Sequence, residues 1–175
     1  QTLHIRSGEV NNNAGLLQAG QALDINTAGQ RLINTHSGRD KGVASGGTLQ
    51  LAVGQLDNWL GFIGAGKAAY LRTSLLDNRQ GRLVGTDSLH VQATNLNNRE
   101  GDVQSVRGMD LNLGHLDNHA GLIRAGAALN IHAAAINNEN TFNGDRTLRQ
   151  PKGIQADTVS LAGGTLSNRN GFVAA

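Results

Sequence analysis

Asparagine returns along this chain on a fixed beat. Leu56-Asp57-Asn58, Leu76-Asp77-Asn78, Leu96-Asn97-Asn98, Leu116-Asp117-Asn118 and Ile136-Asn137-Asn138 begin at residues 56, 76, 96, 116 and 136, four successive steps of 20. Val10-Asn11-Asn12, Leu32-Ile33-Asn34 and Leu166-Ser167-Asn168 extend the series with steps of 22, 24 and 30. A period this constant describes one small unit stacked on copies of itself. Such a chain builds a rod, and a rod is ordinarily a scaffold rather than a catalyst.

The pieces inside one unit are short. In residues 76–95, Leu76 and Asn78 alternate with Asp77, and Arg79-Gln80-Gly81 reads as a turn. Leu83 and Gly85 form a second alternating piece, Thr86-Asp87-Ser88 a second turn, and Leu89, Val91 and Ala93 a third piece. An apolar period of two in runs of three to five residues means short strands with one buried face. The columns recur from unit to unit. A turn glycine stands at Gly15, Gly61, Gly81, Gly101, Gly121 and Gly171, and an apolar residue two places later at Leu17, Ile63, Leu83, Val103, Ile123 and Val173. Val43 and Ile154 join that column once insertions are skipped, and Leu3 and Ile5 fit the tail of an earlier unit.

Three short strands cannot pair within their own unit. Each unit therefore forms a coil whose strands pair with their equivalents about 4.8 Å further along the axis. Parallel crossovers favour the right hand. The expected fold is all-β: a right-handed parallel β-helix of about eight coils, a column on the order of 40 Å long from the same spacing. Composition agrees. Only 38% of residues are hydrophobic and 3% aromatic, enough for a narrow core; 24 glycines suit tight turns and a single proline spares the ladders. The 175 residues form one repeat domain, and its start in mid-pattern at Gln1 reads as an internal piece of something longer.

Asparagine is a poor strand residue. Here it points the same way as the preceding Leu, inward at a corner. A buried amide without a partner costs about 1–3 kcal/mol. Stacked amides satisfy one another, so Asn12, Asn34, Asn58, Asn78, Asn98, Asn118, Asn138 and Asn168 are expected to form an internal ladder.

The outward positions carry little recognisable chemistry. Asp57 and Asp77 are neighbours on adjacent coils and could hold Ca²⁺ or act as an acid/base couple; the alternative is a solvated face screened by Arg79. Arg79 and Arg99 are also neighbours, a repulsive pair to be solvated. His4, His36, His90, His115, His119 and His132 are scattered over four or five columns. No nucleophile elbow, phosphate loop, dinucleotide fingerprint or zinc-protease motif occurs. No residue is assigned to catalysis, a cofactor or a metal. The charge is +2 with no Lys/Arg run, which argues against nucleic-acid and anionic-membrane partners. There are no cysteines, and no apolar run nears the ~18 residues of a membrane helix.

Two features break the beat. Trp59, Phe62 and Tyr70 fall in outward columns of one coil and, with Phe142, are candidate partner contacts. The alternative is that Trp59 merely packs over its corner. Residues 139–152 form a loop insertion outside the helix, and Gly38-Arg39-Asp40-Lys41 a smaller one. A loop on a rigid rod is a place for specificity, or simply a tolerated insertion.

The unit L-[DN]-N-x-x-G-x-[ILV]-x-A-G, followed by L-x-[LIV], resembles the 20-residue repeat of filamentous haemagglutinin-type exoproteins, including HecA-like adhesins and CdiA contact-dependent inhibition proteins. Residues 116–131, from Leu116-Asp117-Asn118 to Leu129-Asn130-Ile131, are the cleanest copy. The resemblance implies a very large Gram-negative protein, exported by an outer-membrane two-partner-secretion transporter and displayed at the cell surface. The repeats are its shaft, adhesive regions or a C-terminal toxin give each member its biology, and a host or target-cell receptor is a possible partner. Two other readings compete. A carbohydrate-binding or polysaccharide-lyase-like β-helix has longer, irregular coils and a cluster of Asp, Arg or Lys. A leucine-rich repeat shares the period but needs a convex layer that this sequence lacks. Exposed coil ends would also let isolated fragments associate end to end.

Overall fold

The computed structural model describes residues 1–38, 40–142 and 152–175. Every regular element among them is a strand. Each strand pairs in parallel with its equivalent one coil away. Ala68–Arg72 lies between Thr48–Ala52 and Ser88–Asn97, with Leu71 beside Leu51 on one side and Val91 on the other. The stacking runs through about eight coils, a parallel β-helix with no helical layer among the described residues, which excludes the leucine-rich arrangement.

The register reproduces the columns, insertions included. Leu3 and Ile5 pair with Leu23 and Ile25; Val43 sits between Leu17 and Ile63; Ile154 sits between Ile123 and Val173. The inward side chains form one continuous core in which Leu23, Leu49, Leu83, Leu89 and Leu96 are at most 1% exposed. At about 25 cal/mol per Å² of apolar surface buried, this column is the main favourable contribution to stability.

Two details differ from the sequence-based expectation. The strands form two sheets, of twelve and eight strands. In the first coils the larger sheet receives two short strands per coil, as in Ala68–Arg72 and Leu75–Asp77. From residue 88 they fuse into ten-residue strands, Ser88–Asn97, Gly108–Asp117, Ala128–Asn137 and Thr158–Ser167. At the break between Ala68–Arg72 and Leu75–Asp77 the buried Thr73 hydroxyl lies 3.1 Å from the Gly54 carbonyl and 3.0 Å from the Leu75 carbonyl. Val53, its equivalent in the preceding coil, has no hydroxyl and its coil is broken at the same place, so the hydroxyl accompanies the break without accounting for it. From Ala93 on, the residues of this column join the ladder themselves, Ala93 beside Leu113 and Leu113 beside Ala133. The second difference is a two-residue extension between Ile25 and Leu32: Leu23 pairs with Leu49, 26 residues on, whereas Leu32 pairs with Leu56, 24 on. It is closed by the Thr27 hydroxyl on the Gln30 carbonyl at 2.6 Å, with left-handed Ala28 and Gly29 between.

Small side chains line the inward corner between the two sheets. Ser45 and Ser105 stand there in one column with Ala65 and Ala125. Ser45 places its hydroxyl against the Gln21 and Thr48 carbonyls. Ser105 Oγ is buried and has no hydrogen-bond partner among the described residues. Since an unpaired buried hydroxyl is costly, Ser105→Ala is expected to stabilise the chain by about 1 kcal/mol, whereas Ser45→Ala destabilises it by a similar amount. Urea unfolding of the two variants checks both signs.

Candidate functional site

The corner that carries the asparagines is the most ordered chemical feature of the coil. All eight side chains join one chain of seven hydrogen bonds, Nδ2 of each donating to Oδ1 of the next at 2.7–2.8 Å. Asn34, Asn58, Asn78, Asn98, Asn118 and Asn138 are fully buried. Every donor points toward the C-terminal neighbour. Backbone carbonyls settle that direction, because the same Nδ2 atoms also lie 2.9–3.3 Å from Phe62, Arg82, Asp102 and Leu122 O.

The turn that follows is built differently from what its glycine suggests. Positive φ falls on the residue before the corner position, which is glycine in six coils and Ser37 or Thr141 in two: Ala14, His36, Leu60, Gln80, Glu100, Ala120, Asn140 and Asn170 have φ of 47–56°. Each bears the cost of a left-handed L-residue, about 1–2 kcal/mol. Gly81 is required for closeness instead. A Cβ there would stand 2.2 Å from the Asn58 carbonyl oxygen of the preceding coil and 2.8 Å from Asn78 Oδ1. Gly101 and Gly121 are held in the same way by Asn78 and Asn98.

The acidic column has a structural role of its own. Oδ1 of Asn11, Asp57, Asp77, Asn97, Asp117 and Asn137 accepts the backbone N–H two residues on, closing an Asx turn at the corner. Arg79 clamps both oxygens of Asp77, and Arg31 lies 3.6 Å from Asp57. This is the screened face anticipated from sequence. Arg79 and Arg99 do not confront each other, since Arg99 reaches the next coil and binds Asp117 at 2.7 Å. Among the described residues no three His, Asp or Glu side chains gather into a metal-binding group.

The candidate aromatic contacts lie apart. Trp59 meets His36 edge-on at 4.6 Å on the asparagine corner. Phe62 spreads across Gly64, where a Cβ would touch its ring tip at 2.5 Å. Tyr70 faces a different side and stacks on His90 at 5.0 Å; His90 in turn lies 3.0 Å from Asp110. Phe142 stacks on Phe172 at 6.2 Å. An open groove of about 440 Å³ follows the outer face along Gln50, Tyr70, Arg72, His90, Gln92 and Asn112. Further along, the Arg169 guanidinium and the Ser167 hydroxyl hold the Glu139 carboxyl below its ordinary range. Of the 139–152 insertion, residues 143–151 lie outside the described part.

The haemagglutinin repeat model matches residues 1–39, 27–58, 44–118 and 104–170. The chain belongs to the haemagglutinin repeat family. No curated relative and no solved structure matches it. The overlapping matches cover all eight ladder positions, so the family's repeat and the hydrogen-bonded coil are the same unit.

Three variants separate these roles. Asn98→Ala leaves Asn118 Oδ1 and the Leu122 carbonyl without their donor and opens a void. It is expected to cost about 2–4 kcal/mol. Arg99→Ala, on a half-exposed ion pair, costs under about 1 kcal/mol. Gly81→Ala costs about 2–3 kcal/mol through overpacking. Denaturant unfolding measures all three, and equal effects at Asn98 and Arg99 would contradict the ladder's role. Asn98→Asp adds a pH test. A buried carboxyl has its pKa raised in the fold. The variant is therefore most stable below the unfolded value of about 3.9 and loses stability as pH rises through the folded value. Thermal unfolding at acidic and neutral pH reads the difference.

Proposed function

We propose that this chain is a segment of the shaft of a much larger secreted exoprotein of a Gram-negative bacterium. An outer-membrane two-partner-secretion transporter exports it, and the shaft holds an adhesive region or a CdiA-type contact-dependent inhibition toxin away from the cell surface. The observation that carries this reading is the unbroken amide column through every coil of a haemagglutinin-repeat chain. Each side chain in it is spent on joining one coil to the next. Candidate receptor contacts, from Trp59, Phe62, Tyr70 and Phe142, lie on the outer surface of this rod. The reading assigns no reaction to the segment, since its regular acidic column is engaged in turns and ion pairs.

A polysaccharide-binding reading is favoured by one observation, the amide-lined groove beside Tyr70. Incubation of the chain with pectate-like polymers, followed by ultraviolet absorbance, tests the lyase form of that idea; unsaturated product would establish it in place of the shaft.

A spacer works by length and register, not by the identity of one coil. Deleting residues 79–98 from the parent protein removes one whole repeat and is expected to leave export and surface display intact. Deleting residues 79–88 removes half a repeat, breaks the ladder and abolishes surface display. Antibody labelling of intact cells distinguishes the two. Loss of display in both variants would overturn the spacer role.

A further inference from the structure

Both insertions fall at one corner. The regular column ends at Ser37 and at Thr141, each three residues past its ladder asparagine, and resumes at Gly42 and Gly153 with φ of 108° and 112°. In both cases a hydroxyl stands where other coils have the corner glycine. The Ser37 and Thr141 hydroxyls accept the N–H of Phe62 and of Phe172 in the coil above, at 2.7 and 2.8 Å. Between the two insertions, the coils of Asn58, Asn78 and Asn98 keep this corner open. At the far end Lys152 Nζ reaches back to the Ala120 carbonyl at 2.9 Å, and Leu122 is buried, although Arg82 in the same column is exposed.

The result is a groove of about 310 Å³, floored by Gly61 and Gly81 and closed at its near end by Gly38. Leu60, Gln80 and Glu100 form one wall; Phe62, Arg82 and Asp102 form the other. Its polarity changes along its length, from apolar through cationic to acidic. Arg82 and Asp102 are register neighbours, yet among the described residues neither side chain makes an ion pair or hydrogen bond. Elsewhere on the outer face, Arg79 with Asp77 and Arg99 with Asp117 close up. An opposite pair held open beside an apolar wall is complementary to a ligand that brings both charges itself.

We propose that this groove docks an extended segment of a partner protein in which an apolar, an acidic and a basic residue follow in order. The apolar side chain lies against Leu60 and Phe62, the acidic one meets Arg82, and the basic one meets Glu100 and Asp102. Two coil steps span about 10 Å, within reach of three extended residues and a lysine side chain. This inference does not depend on the shaft reading.

The test is nuclear magnetic resonance titration of the chain with two capped peptides, acetyl-Phe-Asp-Lys-amide and acetyl-Phe-Lys-Asp-amide. The first is expected to shift the Gly61 and Gly81 amide signals saturably. The second, which sets like charges together, binds about fivefold more weakly, the factor that about 1 kcal/mol represents. The triple variant Arg82→Glu, Glu100→Lys, Asp102→Lys reverses the preference, and Phe62→Ala weakens both peptides. These side chains face outward, so circular dichroism should show the stack unchanged. Absence of shifts, equal affinity for the two orders, or a preference that survives the charge swap would overturn the proposal.

Discussion

Every coil of this protein is tied to the next by one buried amide that has no water to turn to. Unpaired, its donor and acceptor would cost more than a typical hydrogen bond returns. Paired up and down the axis, it imposes two demands at once: the next coil must be present, and its asparagine must be in register. Apolar stacking alone makes the weaker demand, because Leu, Ile and Val columns tolerate sliding and exchange. The ladder therefore selects which stacking is adopted, whereas the Leu columns supply most of the favourable energy. Its uniform direction from Asn12 to Asn168 makes the two ends of the column chemically different, an acceptor at one and a donor at the other.

The corner around the ladder obeys the same constraint. The backbone must turn sharply while keeping its carbonyls close to the next coil, and this divides the work between two residues. One adopts positive φ and points outward, where any side chain fits; the other has no Cβ, because the preceding coil's carbonyl occupies that space. Insertions are confined by the same logic. At the two insertions on this corner the glycine is replaced by a residue whose hydroxyl takes over the hydrogen bond to the coil above, as Ser37 and Thr141 do. The ladder asparagine three residues earlier is then undisturbed, and a 30-residue step is as well paired as one of 20.

The columns, the parallel pairing and the ladder were legible in the sequence because they are periodic. A side chain that recurs every 20 residues carries its geometry with it, and the skipped insertions left Val43 and Ile154 in their places. Non-periodic features were less accessible. Strand fusion after residue 88 leaves no mark in its column, where Val53 and Thr73 sit at breaks and Ala93, Leu113 and Ala133 lie within continuous strands. The left-handed position was hidden because most of its residues, Ala14, Leu60, Gln80, Glu100 and Ala120, have no chemistry that marks positive φ, and only His36, Asn140 and Asn170 are of types that favour it; the glycine beside them drew attention for its permissiveness when its actual service is its small size. The acidic column looked like a possible metal or acid/base pair. The alternation of Asp with Asn at that position was the available signal, since both can close an Asx turn and only one of them is charged.

Because inward residues carry the fold, outward residues are released from it. Pairs such as Arg99 with Asp117 are half-exposed and contribute little to stability. The surface can therefore change in charge and shape from coil to coil without changing the rod. In a globular protein a binding site must be reconciled with an irregular core beneath it. Here the core beneath every site is the same few columns, so a site can be made by choosing outward residues on three successive coils, with Gly38 at one end and Lys152 at the other. The groove over Gly61 and Gly81 has that form: its floor is dictated by the ladder, and its walls, from Leu60 and Phe62 to Glu100 and Asp102, are free of it. Recognition and stability thus rest on different side chains of the same 20-residue unit, which lets a repeat serve as a spacer along most of its length and as a contact wherever its outer positions depart from the pattern.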